Sequence, residues 1–344
     1  MDLTQWQTIK TCARMEEPGK VPVALIVDSP WLPGYRGVST IDYLAVPEVW
    51  LEANLAVIRE FPEVIFLPGF WAEYGMAAEP SGFGCKINFY ADQPPTINHV
   101  ISSIDEIGSI TTPNPWTDGF MPLVLSIYKN IEPKLEELGQ YVKVVAARGP
   151  LTIASYVMGV TNFLLAIKMY PTNTHRLLKC TAELTRRWLE AQAGVLSEVE
   201  GVMVLDDIVG FLSKDDYLEF AHPYLKSIFA SFGNCIKIYH NDMNNAVCYG
   251  YMEDLGVNIF NFTHLQDMDK VRKLVGNKVC LMGNVAPVDV LVNAAPEKVV
   301  EEARRCIQKN GTGKGIILSA GGGTSPGTPK ENIMALLEAA SGIQ

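Results

Sequence analysis

A histidine and an aspartate two positions apart follow a short hydrophobic run in the second half of the chain. His240 and Asp242 come directly after residues 235–239, whose sequence Cys-Ile-Lys-Ile-Tyr is typical of a short buried strand. Residues i and i+2 of an extended segment point to the same side, so an imidazole nitrogen and a carboxylate oxygen are expected together. Such a pair is a common start for a zinc or other Lewis-acid site. For an isolated pair, a hydrogen-bonded histidine and a helix-capping aspartate are the commoner explanation, so the surrounding elements must decide.

Short hydrophobic segments alternate with longer amphipathic ones along the whole chain, and this alternation predicts a (β/α)8 TIM barrel. A doubly wound sheet is the alternative. The eight predicted strands are residues 21–27, 64–67, 142–147, 202–205, 236–239, 258–262, 279–282 and 315–318. Their nearly continuous hydrophobicity is typical of parallel strands buried on both faces. We expect one domain over residues 1–344, with an excursion at about 71–140 near the barrel mouth, the end where the strands finish.

Polar residues follow most of the predicted strands, and in a TIM barrel the chemistry gathers at those carboxyl ends. Arg148 follows the third strand, and Asp206 and Asp207 follow the fourth, so these three are candidate catalytic residues. One aspartate is expected to face the mouth, and the other to cap the turn at Ser213 or to pair with Arg148. The candidate binding residues include an aromatic rim and are Asp28, Trp31, Tyr35, Phe70, Trp71, Asn284, Gly321 and Gly322.

The composition excludes several classes of function. The net charge of −10 and the absence of a basic run argue against nucleic acid as a partner. The apolar runs are shorter than the roughly 20 residues that span a bilayer, so no membrane segment is expected. The seven cysteines are scattered without C-x-x-C spacing, and the first residues lack a secretion signal. These features predict a cytoplasmic protein with reduced thiols.

Several motifs resemble the uroporphyrinogen decarboxylase superfamily. The most specific are Met282-Gly-Asn-Val-Ala-Pro287 and the stretch 317–332, which reads Ile-Leu-Ser-Ala-Gly-Gly-Gly-Thr-Ser-Pro-Gly-Thr-Pro-Lys-Glu-Asn. Arg148-Gly-Pro150, and the Asp-Asp pair followed by Leu212-Ser213, add to the likeness. The resemblance extends over nearly the whole chain and implies the barrel of that superfamily.

The segment after the first strand separates two branches of the superfamily. Decarboxylases carry an arginine-rich segment there, which holds the acidic side chains of the porphyrinogen. Here residues 28–35 read Asp-Ser-Pro-Trp-Leu-Pro-Gly-Tyr, and only Arg36 is near. Porphyrinogen decarboxylation is therefore disfavoured. A decarboxylase of another kind, using Asp28 or Asp207 as proton donor without metal, remains an alternative.

The cobalamin-dependent methyltransferases form the other branch. Those that methylate coenzyme M carry H-x-C after the fifth strand and a further cysteine in the glycine-rich turn, and these residues hold zinc. In this chain Asp242 replaces the first cysteine and Gly322 stands at the second. The resemblance therefore implies His240 as a zinc ligand and Asp242 as a changed ligand. Glu219 is a predicted further ligand, with Asp206 or Asp207 as another.

A ligand set of nitrogen and oxygen leaves the metal more electrophilic than thiolates do, which suits polarisation of an ether oxygen. This resembles the methyltransferases of anaerobic O-demethylation. We therefore predict a zinc-assisted transfer of methyl from a small methoxylated substrate, expected to be aromatic, to cob(I)alamin on a partner corrinoid protein. A methylcorrinoid-to-thiol methyltransferase is an alternative. A non-catalytic corrinoid-binding protein is less favoured because His240 and the polar strand ends are retained. The oligomeric state is left open, a homodimer being one option.

Overall fold

The computed structural model of the protein describes residues 1–27, 31–311 and 314–342. Asp28, one of the predicted binding residues, lies outside these ranges. The strands of the described ranges are β1 (Val23–Ile26), β2 (Val64–Leu67), β3 (Lys86–Asn88), β4 (Thr96–Asn98), β5 (Val144–Arg148), β6 (Gly201–Leu205), β7 (Ile236–Asn241), β8 (Ile259–Phe262), β9 (Cys280–Met282) and β10 (Ile316–Ile317). All but β3 and β4 correspond to the eight predicted strands.

The eight strands are arranged as a parallel barrel, which confirms the predicted fold. Strands β5 to β10 form one parallel sheet in chain order, and β1 and β2 form a parallel pair. A bridge between Val23 and Leu318 joins the end of β10 to β1. It is supported by the Ala24 amide, which donates to the Leu318 carbonyl over 3.0 Å. The seam of the barrel therefore lies between β2 and β5.

Helices surround the barrel on its outside. In the described ranges they are α1 (Leu3–Ala13), α2 (Leu32–Arg36), α3 (Thr40–Ala45), α4 (Pro47–Glu60), α5 (Ala78–Gly82), α6 (Met121–Glu137), α7 (Pro150–Met158), α8 (Val160–Met169), α9 (Pro171–Gly194), α10 (Lys214–Asp216), α11 (His222–Ala230), α12 (Met268–Val275), α13 (Pro296–Asn310) and α14 (Lys330–Ser341). Short 3-10 segments cover Ile104–Ser109, Asp207–Phe211 and Tyr249–Tyr251, and a π-helical turn covers Tyr217–Ala221.

The barrel interior is filled by side chains and is closed at its amino-terminal end by α1. Alternate strand residues form one buried cluster inside the barrel, to which Trp6 and Ile9 of α1 belong. Trp71, just after β2, belongs to the same cluster. The side chain of Asp2 accepts a hydrogen bond from the backbone amide of Gln5 and so caps the first turn of α1. Because the interior is packed, chemistry is confined to the barrel mouth.

The segment between β2 and β5 lies over the seam. It contains α5, the antiparallel hairpin β3–β4, the 3-10 segment Ile104–Ser109 and α6. The amides of Val100 and Ile101 both donate to the Val157 carbonyl of α7, over 3.0 and 2.9 Å. The Asn173 side chain of α9 donates to the Ile104 carbonyl over 3.3 Å. These bonds attach the excursion to α7 and α9, two of the helices that follow β5.

No single helix in the described ranges is long and apolar enough to cross a membrane. Among the helices that the structure describes, only α7 and α8 taken together reach the length and composition of a span, and they are bent by 108° at the break between them.

Candidate metal centre

Three side chains that can ligate a metal meet at the barrel mouth. They are Asp207, His240 and Asp242, whose ligand atoms all lie within 4.8 Å of one another. His240 Nε2 is 3.5 Å from Asp207 Oδ1 and 3.9 Å from Asp242 Oδ2. The register explains this convergence, because Leu205 at the end of β6 pairs with His240 near the end of β7. One borderline nitrogen and two hard oxygens form a donor set that can hold a divalent cation.

The two carboxylates of the site lie on neighbouring turns. The Asp242 amide donates to Asp207 Oδ1 over 3.1 Å, which fixes the turn after β7 against the turn after β6. Burial raises the pKa of the Asp242 carboxyl, and the negative charge of Asp207 adds to this effect. Two carboxylates this close disfavour each other's ionised form, so a cation between them is favourable.

A residue of β8 contacts the imidazole of His240 at Nδ1, the ring nitrogen that does not face the two carboxylates. His240 is 5% exposed, and its Nδ1 lies 2.7 Å from Asn261 Oδ1. Asn261 is not among the residues predicted from the sequence. A polar residue inside the hydrophobic run Ile259-Phe-Asn-Phe262 was the signal available for it, since a strand buried on both faces rarely holds an amide without a partner.

The glycine-rich turn after β10 closes the site on another side. A Cβ atom added to Gly322 would lie 2.7 Å from Asp242 Oδ2, and its φ of +134° also favours glycine. A Cβ atom added to Gly321 would lie 2.4 Å from the His264 amide nitrogen. Gly322 thus leaves the space that the Asp242 carboxylate fills, whereas Gly321 lies against the loop after β8.

Asp206 and Asp207 have different surroundings. The carboxylate of Asp206 is fully buried and accepts from the Leu151 amide over 3.1 Å and from the Thr152 amide over 2.8 Å. It therefore caps the amino-terminal end of α7. Burial raises its pKa to about 7. This corrects the prediction of Asp206 as a catalytic residue or ligand, because its oxygens are engaged away from the mouth.

Arg148, at the end of β5, takes part in a buried charged group. Its guanidinium forms an ion pair with Glu73 and lies 4.6 Å above the ring of Trp71. Its backbone amide donates to Glu79 Oε1 over 2.8 Å, and burial raises the pKa of Glu79. Neither glutamate was anticipated, because both come from the excursion and reach β5 only through the tertiary fold. The group connects the loop after β2 to the end of β5.

Glu219 lies away from the other candidate ligands. It is on the π-helical turn Tyr217–Ala221, where its side chain is 57% exposed and its Oε1 is 3.4 Å from His175 Nε2 on α9. This corrects the prediction of Glu219 as a ligand. The reason is that its turn packs outside the barrel, whereas Asp207 follows a barrel strand.

The predicted aromatic rim is largely built into the core. Trp31 and Phe70 are each 1% exposed, and Trp71 is 5% exposed beneath Arg148. Trp31 stacks on the half-buried Tyr35 with 4.6 Å between ring centroids. This corrects the prediction that Trp31, Phe70 and Trp71 bind the substrate as part of an aromatic rim, because side chains so deeply buried do not reach a substrate without movement.

Asn284 has a bridging position. Its side-chain amide donates to the Thr263 carbonyl over 3.0 Å and to the Gln266 carbonyl over 2.7 Å. It thereby ties the loop after β8 to the end of β9. Its predicted binding role remains a prediction.

Comparison with known proteins identifies the family of this chain. The profile of the family described as uroporphyrinogen decarboxylase (URO-D) matches residues 5–343, and the chain belongs to this family. The superfamily resemblance drawn from the motifs is thereby confirmed.

Named relatives point to two kinds of enzyme. A uroporphyrinogen decarboxylase of Thioalkalivibrio sulfidiphilus (strain HL-EbGR7) is 25% identical over 327 residues, which cover 90% of this chain and 89% of the relative. One of Aromatoleum aromaticum (strain DSM 19018 / LMG 30748 / EbN1) is 27% identical over 271 residues, covering 75% and 74%. A solved methyltransferase from Methanosarcina mazei matches with a TM-score of 0.83 at 21% identity and covers 98% of each chain. The last likeness shows the fold, and the reaction must be argued from the residues of the site.

Proposed function

We propose that the protein is a corrinoid-dependent methyltransferase that takes a methyl group from a small methoxylated, expected aromatic, compound. The acceptor is cob(I)alamin carried by a partner corrinoid protein. The observation that carries this proposal is the meeting of Asp207, His240 and Asp242 within 4.8 Å at the barrel mouth. A metal-free decarboxylase has no need of such a donor set.

Zinc is the metal that we propose for this site, held by His240 and the two carboxylates. When bound, it supplies a Lewis acid that stabilises negative charge on the leaving oxygen, an effect worth several kcal/mol. A set of one nitrogen and two oxygens is harder than one with two thiolates. It therefore favours activation of an oxygen over activation of a thiol, and the thiol methyltransferase alternative loses support.

The reaction balances without a further oxidant or reductant. The bond between the methyl carbon and the ether oxygen breaks and leaves its electron pair on oxygen. The methyl carbon bonds to cobalt with the pair that cob(I)alamin brings, and the oxygen takes a proton from water. Asp207 and Asp242 are 39% and 40% exposed at their side chains, so water reaches the site. Asp207 and Asp242, together with His240, would hold the metal, and the substrate oxygen would be placed against that metal rather than against the carboxylates.

The charges around the mouth also argue against a decarboxylase that takes a polyanionic substrate. Arg148 is engaged by Glu73, and Arg36 is exposed on the short helix α2. The carboxylates of Asp207 and Asp242 face the same opening. With a divalent cation bound, the cation and the two carboxylates carry no net charge together, so this centre offers no excess positive charge to a substrate with many carboxylates, and a neutral methyl ether needs none.

Metal analysis tests the proposal. Protein purified without chelator is expected to hold about one zinc per chain by inductively coupled plasma mass spectrometry. His240→Ala is expected to lose the zinc, and with it methyl transfer from a methoxylated arene to cob(I)alamin. His222→Ala is the matched control, because His222 pairs with Asp254 on the outer helix α11. Retention of zinc and of full activity by His240→Ala would refute the site.

A further inference from the structure

We propose that Asn261 is a positioning residue that fixes His240 in the tautomer protonated at Nδ1, and so presents the Nε2 lone pair to the metal. This inference rests on the proposed metal centre. It assigns a role to a residue that no motif of the sequence marks as functional.

The hydrogen bonds of Asn261 determine the orientation of its amide. Its side chain is fully buried, and its Nδ2 lies 2.9 Å from the Met282 carbonyl and 3.1 Å from the Ala320 carbonyl. Carbonyl oxygens only accept, so both must face the NH2 group, whose two hydrogens they use. Flipping the amide would place Oδ1 against two carbonyl oxygens. Oδ1 must therefore be the atom that faces His240.

An acceptor at that position determines which nitrogen of His240 carries hydrogen. Asn261 Oδ1 lies 2.7 Å from His240 Nδ1 and can only accept, so Nδ1 must donate. A neutral imidazole has one N–H, and its Nε2 is then left with a lone pair. That atom is the one that faces Asp207 at 3.5 Å and Asp242 at 3.9 Å. A lone pair and two carboxylates facing one another repel unless a cation lies among them.

The strands hold this arrangement rigidly. In the barrel register His240 pairs with Asn261, and Asn261 pairs with Met282. One amide therefore connects β7, β8, β9 and the turn after β10. A hydrogen bond to the ring nitrogen that does not bind the metal orients a ligating histidine, and its loss typically weakens metal binding 10- to 100-fold.

The tautomer is measured directly in the metal-free protein. Protein labelled with 15N-histidine is stripped of metal, and two-bond proton–nitrogen correlation spectra are recorded at about pH 8, above the usual histidine pKa. His240→Ala assigns the resonances. The wild type is expected to show Nδ1–H at His240, and Asn261→Leu is expected to shift the population toward Nε2–H. An Nε2–H tautomer in the wild type would overturn the proposal even if the variant did not fold.

A matched control separates positioning from general packing. Asn332 is also buried, and its Nδ2 likewise donates to two carbonyls, those of Leu291 and Ala294, each over 3.0 Å. Asn332→Leu therefore removes the same two bonds far from His240. In cobalt(II) titrations followed by absorbance, Asn261→Leu is expected to bind 10- to 100-fold more weakly than wild type, and Asn332→Leu as tightly as wild type.

The two measurements distinguish the proposals from each other. Equal weakening by Asn261→Leu and Asn332→Leu, or an unchanged Nδ1–H population in Asn261→Leu, would overturn the role of Asn261. A wild type that shows the Nδ1–H tautomer but binds no cobalt would instead overturn the metal centre, while supporting Asn261 as the residue that sets the tautomer.

Discussion

Single residues define the candidate site, and glycine is as important there as the charged groups. The carboxylate of Asp242 occupies space that any side chain at position 322 would take, because a Cβ there would lie 2.7 Å from Asp242 Oδ2. A glycine at position 322 therefore leaves the room that the Asp242 carboxylate occupies. Each of the two positions restricts what the other can hold.

Replacing Gly322 tests this complementarity. Gly322→Ala is expected to weaken zinc or cobalt binding roughly 10-fold or more, because it displaces a ligand and adds strain at positive φ. Gly323→Ala is the control, since a Cβ added there meets nothing within 4 Å. The comparison is made by competition with a chromophoric chelator. Equal metal affinity in both variants would show that Asp242 is not held by this turn.

The extended backbone at the end of β6 directs two adjacent aspartates, Asp206 and Asp207, to opposite sides. The Asp206 amide donates to the His240 carbonyl over 3.1 Å, which extends the ladder between β6 and β7 by one residue. Neighbouring residues of an extended segment point to opposite sides. Asp206 consequently faces α7, whereas Asp207 faces the mouth. The strand end thus uses one acid to hold a helix and presents the other for chemistry.

The cap on α7 gives stability a pH dependence. The pKa of Asp206 is raised from its ordinary 3.8 to about 7 in the folded protein. The folded state then binds more protons at Asp206 than the unfolded state does between these values. The contribution of Asp206 to the free energy of unfolding is therefore largest below about pH 4 and falls as pH rises toward 7. Asp206→Asn is expected to remove this component, which is on the order of a few kcal/mol.

Urea denaturation of wild type and Asp206→Asn at several pH values measures this component. The free energy of unfolding of the wild type should fall relative to that of the variant between about pH 4 and 7. Asp215→Asn is the control, because Asp215 is exposed on α10. A difference between wild type and Asp206→Asn that is constant with pH would contradict the raised pKa.

For the whole molecule, the barrel and the excursion over its seam share one hydrophobic layer. Ile101, Ile107 and Met121 of the excursion belong to the same buried cluster as Leu151 and Leu178 of the helices after β5. The buried ion pair of Glu73 with Arg148 crosses the same boundary. We therefore expect the excursion and the barrel to unfold together, as one domain.

Equilibrium unfolding in urea followed by two probes checks this expectation. Far-ultraviolet circular dichroism reports the helices, and hydrogen exchange of peptides from residues 71–140, read by mass spectrometry after a short pulse at each urea concentration, reports the excursion. The two transitions should coincide. Loss of protection in the excursion at lower urea would show that the excursion is a separate unit. Peptides from α9 (Pro171–Gly194) give the matched reading for a helix of the barrel.

The alternation of strands and helices is a local property, and it was sufficient to predict the barrel and most strand positions. The i, i+2 spacing of His240 and Asp242 likewise predicted their meeting, because a strand end fixes the direction of both side chains. The choice of Asp207 over Asp206 and Glu219 was decided by tertiary structure. It depends on which face the end of β6 presents and on a helix turn that packs outside the barrel.

The remaining features of the site have no local signature. Asn261 contacts His240 only because β7 and β8 pair in one register, and Glu73 contacts Arg148 only across the seam. The burial of Trp31 and Phe70 also arises from packing against distant elements. The strands, their polar ends and the kind of ligands follow from local patterns along the chain. Which of those polar groups face one another depends on strand register and long-range packing, and no local pattern contains that information.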